Sequence, residues 1–171
     1  MNIFDRLNSG IETRSPDETI TIATLLAEAL PTEAILTLEG ELGACKTTFV
    51  KGLAQAMGIQ ELITSPTFNI FNTYDSGIKT LIHMDAYRLN PDSNAIDELM
   101  LEDFITPPYC LAIEWPSNLG ELPWKGKALP SQKIHRPKLI GLSEDLFKTY
   151  RADPKNGEQA KMLCFFVSCG A

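Results

Sequence analysis

The chain has 171 residues, 44% hydrophobic and 22% charged, with a net charge of −7. That length suits one domain and that composition fills a globular core, which excludes a disordered chain. No apolar run approaches the roughly 20 residues that cross a bilayer, and Met1 to Gly10 lacks a basic-then-apolar leader, so a cytoplasmic protein with no membrane contact is expected.

The charge is unevenly spread. Through Trp124, 6 basic residues stand against 18 acidic ones (−12); from Lys125 onward, 9 basic stand against 4 acidic (+5). An acidic body is a poor direct ligand for nucleic acid. The basic stretch with Lys125, Lys127, Lys133, Arg136 and Lys138 is either a solvated tail or a contact for phosphate or an acidic partner. The four cysteines, Cys45, Cys110, Cys164 and Cys169, show no CxxC spacing, which argues against a metal or disulfide framework.

In chain order, Ser15-Pro16-Asp17-Glu18 before TIATLLAEAL predicts a helix with Ser15 as N-cap, Pro16 at its first position and Glu18 completing a capping box. Pro31 closes it. Ala34 to Leu38 (AILTL) has the composition of a buried strand, and TTFVKGLAQAMG has helical periodicity ending at Gly58. Thr67 to Tyr74 and Thr80 to Met84 are predicted strands joined through Asp75-Ser76-Gly77. Asn90 to Phe104 is a predicted helix starting near Asp92 or Ser93. Tyr109 to Ile113 (YCLAI) is continuously apolar, as in a strand buried on both faces, and delivers Glu114-Trp115-Pro116 at its C-terminal edge. Residues 1–124 form the recognisable domain, and 125–171 form a divergent basic segment within or appended to it.

Between the first strand and the next helix lies GELGACKTTF, residues 40–49. The template G-x-x-x-x-G-K-[ST] cradles phosphates with backbone N–H groups at a helix N-terminus, neutralises them with its lysine and offers a hydroxyl to Mg²⁺. Gly40, Lys46 and Thr47 fit, and Gly43 adds flexibility. Cys45 stands where the template has glycine. A magnesium–nucleotide site also needs a carboxylate at a neighbouring strand end, and Glu114 and Asp85 are so placed; singly, each is also readable as an ordinary strand-end acid. Ser65-Pro66-Thr67 is either helix-exit punctuation or a mobile loop that senses the γ-phosphate. His83, inside an apolar strand, reads as a structural histidine or a base.

LEGELGACKTTFVKGLAQAMG, TSPTFNIFNTY, HMDAYRL and LAIEWP in this order resemble the bacterial TsaE (YjeE) family, over about Ser15 to Pro123. The resemblance implies an α/β P-loop-type three-layer domain with a central, mainly parallel sheet. It implies an ATPase that binds ATP and Mg²⁺ and partners TsaD and TsaB in threonylcarbamoyladenosine modification of tRNA, touching tRNA only indirectly. By match, Gly40, Glu41, Leu42, Gly43, Ala44, Cys45, Lys46, Thr47 and Thr48 would bind nucleotide, and Glu18 with Thr19 would lie near its base. Lys46 would hold phosphate, Thr47 and Glu114 the metal, with Asp85 and the switch-like Thr67 completing the catalytic set. Cys45 departs from the family, so slow or impaired hydrolysis is expected; the alternative is a non-catalytic module that keeps the fold. A third reading, a small-molecule kinase, lacks the arginine-rich lid that such enzymes carry.

Overall fold

A computed structural model describes residues 3–9, 11, 13–66, 68–91, 98–119 and 161–166, the last stretch as backbone only. The first helix, α1 (Ile3–Ser9), is short and was not legible as a helix. Seven residues are marginal on propensity alone; Leu7, 3% exposed, anchors it in the core. In α2 (Pro16–Ala29) the Ser15 hydroxyl accepts the Glu18 N–H at 3.2 Å, with proline in the first turn. The Glu18 carboxylate reaches back to the Arg14 N–H at 2.7 Å, one residue beyond the N-cap that a capping box would use.

β1 (Glu33–Glu39) leads through the glycine loop into α3 (Lys46–Ala56). Beyond α3, Gly58 takes φ 76°, a left-handed turn that lets the chain leave the helix. β2 (Phe71–Tyr74) and β3 (Thr80–Asp85) pair antiparallel, as the turn at Asp75 to Gly77 predicted. The strand expected from Thr67 begins only at Phe71. Ile70 has φ 65° and its carbonyl accepts the Asp85 N–H at 2.8 Å, so the extended geometry breaks there. Of the helix expected over 90–104, residues 92–97, including Asp92 and Ser93, lie outside the described residues. Its end, Leu101–Phe104, is a short 3₁₀ turn that follows Met100 at φ 46°.

β4 (Tyr109–Glu114) is buried at every position. β5 (Lys161–Phe166), where no element was predicted, adds to the far edge. The order is β2-β3-β4-β1-β5, with β3, β4, β1 and β5 parallel. Strand alternation splits the apolar side chains into two layers. Leu36, Leu38, Cys110 and Ala112 pack with Leu26, Phe49, Val50 and Leu53 of the helices. Ile35, Ile82, Met84, Leu111 and Ile113 pack on the other face with Leu101 and Leu119. Among the described residues no helix is long and apolar enough to cross a membrane.

The α2–α3 crossing depends on Gly52. A Cβ there would stand 2.6 Å from both the Ala23 Cβ and the Ile20 carbonyl oxygen, and the Gly52 carbonyl accepts the Thr24 hydroxyl at 3.2 Å. In an exposed helix, glycine to alanine stabilises by about 0.5–1 kcal/mol. Here Gly52→Ala is expected to destabilise by about 1–3 kcal/mol, the cost of overpacking, measured by urea unfolding of the two proteins.

Candidate functional site

Parallel strands bring their C-terminal ends to one edge, where loops meet a ligand. Asp85 at the end of β3 pairs with Glu114 at the end of β4, and Glu114 with Leu38, beside Glu39 at the end of β1. The loop after β1 arches over this edge. Gly40 at φ 148°, Gly43 at φ 82° and Cys45 at φ 63° turn the backbone so that the chain folds back on itself before α3 begins. Such runs of left-handed residues gather N–H groups into an anion-binding concavity, here at the start of an eleven-residue helix.

Lys46 is 5% exposed. Its ammonium donates to the Gly40 carbonyl at 2.7 Å and the Glu41 carbonyl at 2.9 Å, and lies 4.0 Å from the centre of the Trp115 ring. Burial pushes its pKa down, while the carboxylates of Glu114, Asp85, Glu39 and Glu41 pull it back up. The Thr47 hydroxyl donates to Glu114 Oε1 at 2.8 Å, tying the helix start to the end of β4. Glu114 is itself 4% exposed, and the same Oε1 meets His83 Nε2 at 2.8 Å.

Asp85 is held from two sides. Its Oδ2 accepts the Ser65 hydroxyl at 2.7 Å and its Oδ1 the Tyr87 N–H at 2.9 Å. Thr67, two residues after Ser65, lies outside the described residues. Of the remaining loop positions, Glu41, Leu42 and Gly43 are exposed, Ala44 is buried and Thr48 is half-buried. Glu18 sits apart from this cluster in its described bonds, which cap α2. Thr19, 2% exposed, bonds Thr13 at 2.9 Å and the Ser15 carbonyl at 3.2 Å, as a packing residue does.

Cys45 occupies the left-handed region, with φ 63° and ψ 22°. A non-glycine residue there costs about 1–2 kcal/mol. The loop has adopted this geometry despite the Cβ, and the side chain packs against the core under α3. Cys110, 0% exposed, is the free cysteine among the described residues, and burial pushes its thiol up to about 12.

Comparisons with known proteins give the family. The family model described as threonylcarbamoyl adenosine biosynthesis protein TsaE matches residues 13–138. The chain belongs to the TsaE family. The tRNA threonylcarbamoyladenosine biosynthesis protein TsaE of Bacillus subtilis (strain 168) is 42% identical over 109 residues, covering 64% of this chain and 67% of that protein. Its Treponema pallidum counterpart is 41% identical over 111 residues, covering 64% and 81%. The crystal structure of Bacillus subtilis YdiB superposes with a TM-score of 0.51 at 40% identity, over 66% of this chain and 68% of that one. These relatives bear out the resemblance read from the four motifs, and the YdiB match bears out the P-loop-type α/β fold.

The geometry brings three further residues into contact with the expected site residues. Trp115 lies under the lysine ammonium; a tryptophan directly after a buried strand end was the available signal. His83, readable from the sequence as a structural histidine or a base, touches Glu114. Ser65, in a segment readable as helix-exit punctuation or as a sensing loop, bonds Asp85. Ser65→Ala removes one hydrogen bond worth about 1 kcal/mol, so the melting temperature is expected to fall by about 2–4 °C. Hydrogen exchange of the backbone at 63–66 is expected to quicken while β4 stays protected.

Proposed function

We propose that this chain is a Mg²⁺-dependent ATPase that binds ATP in the 40–48 loop and serves the tRNA threonylcarbamoyladenosine machinery in the cytoplasm. The observation that carries the reading is the Thr47–Glu114 hydrogen bond, because it joins the hydroxyl and the carboxylate that such a site needs. Family membership supplies the biological setting. TsaD and TsaB are the partners we propose, with tRNA reached through them, since the acidic body repels a polyanion. Residues 125–171 are read as part of the same domain, supported by the pairing of β5 with β1.

The donor set fits a nucleotide-bound magnesium ion. Among the described residues, His, Cys, Asp and Glu form no group able to cage a metal alone. Mg²⁺ suits this arrangement, because it keeps waters and takes one or two protein oxygens together with phosphate. Glu39, Asp85 and Glu114 also surround the loop with negative charge, so an anionic nucleotide binds more tightly together with a cation. When bound, Mg²⁺ neutralises phosphate charge as it develops.

The chain's own groups then divide the work. Loop N–H groups from Gly40 to Thr48 receive phosphate oxygens. The Lys46 ammonium exchanges the carbonyls of Gly40 and Glu41 for phosphate, which favours its charged form. Thr47 donates its hydroxyl hydrogen bond to Glu114, which would leave its oxygen lone pairs for the metal. Asp85, bonded to Ser65, links the strand end to the segment that carries Thr67, the proposed γ-phosphate sensor.

Cys45 is the point at which hydrolysis is impaired, if the thiol side chain crowds phosphate. Its packing against the core supports the opposite outcome, with the conformational cost already incurred in the fold. In reductant, Cys45→Gly is expected to raise folding stability by about 1 kcal/mol, the left-handed penalty less the freedom added to the unfolded chain. ATP affinity is expected to change by less than threefold; a tenfold or greater gain would establish impairment.

Calorimetry of ATP binding with and without Mg²⁺ tests the main reading. Glu114→Gln is expected to lower hydrolysis on the order of 100-fold, the scale of one lost contact to charge in the transition state. Its metal-free ATP affinity is expected to stay within threefold of the parent. A parent protein that binds no ATP would sink the proposal.

A further inference from the structure

His83 lies on β3, next to β4, and is 0% exposed. Its Nε2 is 2.8 Å from Glu114 Oε1, so with an ionised carboxylate the Nε2 proton is donated. Its Nδ1 is buried and has no hydrogen-bond partner among the described residues. A histidine serving only to fill the sheet would be expected to have both nitrogens satisfied, or to be an aliphatic residue, since an unpaired buried polar atom is destabilising. The sheet instead retains a half-satisfied imidazole, and its one bond goes to the carboxylate that faces the phosphate loop.

Glu114 Oε1 thus receives two donors, the Thr47 hydroxyl and the His83 imidazole. Two donors on one oxygen fix the carboxylate's rotation and leave its second oxygen out of both bonds. The hydroxyl proton of Thr47 is in turn directed at Oε1, which aims the hydroxyl lone pairs elsewhere. We infer that His83 is a positioning residue: through Glu114 it sets the orientation of both oxygen groups offered to the nucleotide's metal ion. Its place in the register, opposite Ala112 with Asp85 opposite Glu114, is what allows a side chain from the neighbouring strand to reach the carboxylate. This pattern of hydrogen-bonded ligands held by a second layer of residues is how proteins tune metal affinity.

The inference rests on the magnesium–nucleotide reading, and the test separates the two. Mn²⁺ affinity of the ADP-saturated protein is measured by electron paramagnetic resonance, and ADP affinity in EDTA by calorimetry. His83→Leu removes the donor; His83→Gln places an amide N–H where Nε2 stood. His83→Leu is expected to weaken Mn²⁺ binding about tenfold, within the range seen for loss of such supporting partners, and to leave metal-free ADP affinity within twofold. His83→Gln is expected to recover Mn²⁺ affinity to within threefold of the parent. In a Glu114→Gln background, His83→Leu is expected to add less than twofold, because its effect passes through the carboxylate. If His83→Leu does not fold, His83→Asn, whose shorter amide mimics Nδ1 and not Nε2, replaces it with the same expectations. Unchanged Mn²⁺ affinity in the single variant, or equal losses in both backgrounds, would overturn the positioning role. A parent that binds no Mn²⁺ with ADP would overturn the functional reading instead.

Discussion

Glu114 sits almost wholly out of water at the end of the central strand, and the hydrogen bonds it accepts there organise the site. A buried carboxylate without donors is strongly disfavoured. Thr47 and His83 offset that cost, and in doing so they connect three elements that are far apart in sequence: β3, β4 and the first turn of α3. The Thr47 bond ties the start of α3, and with it the end of the loop, to the sheet edge.

Around that carboxylate the electrostatics are finely opposed. Burial lowers the affinity of Lys46 for its proton, and Glu114, Asp85, Glu39 and Glu41 offset only part of that loss. Its ammonium is bound to the carbonyls of its own loop and to the face of Trp115. These partners hold the loop in a formed state whose backbone geometry is already left-handed at Gly43 and Cys45. Preorganisation of this kind lowers the cost of ordering when a ligand arrives. Ser65 and Asp85 extend the same edge toward the segment before β2, so the strand ends, rather than any one loop, form the scaffold of the site.

Much of this was legible in the residues. Ser15-Pro16 marked the start of α2 through cap chemistry, and the alternating or continuous apolar runs marked β1, β3 and β4, because burial on one or both faces of a sheet leaves that imprint. The loop was visible because glycine, lysine and threonine at fixed spacing satisfy a backbone requirement. The motifs were specific enough to name the family. Where periodicity was weak, the elements escaped: α1 is held by packing, and β5 follows a polar stretch with no strand pattern.

The sequence by itself determined the order of α2, β1, α3, β2, β3 and β4, the glycine–lysine–threonine pattern of the loop and the identity of the acids at the strand ends. These follow from local rules of caps, periodicity and donor type. Only the tertiary structure decided which of those groups meet. Parallel register put Asp85 beside Glu114 and let His83 reach across to the same oxygen as Thr47. The left-handed geometry at Cys45 and the seat of Lys46 on Trp115 are likewise decided by the packing of the fold. Contacts of that kind depend on strand pairing and burial, which no local pattern records.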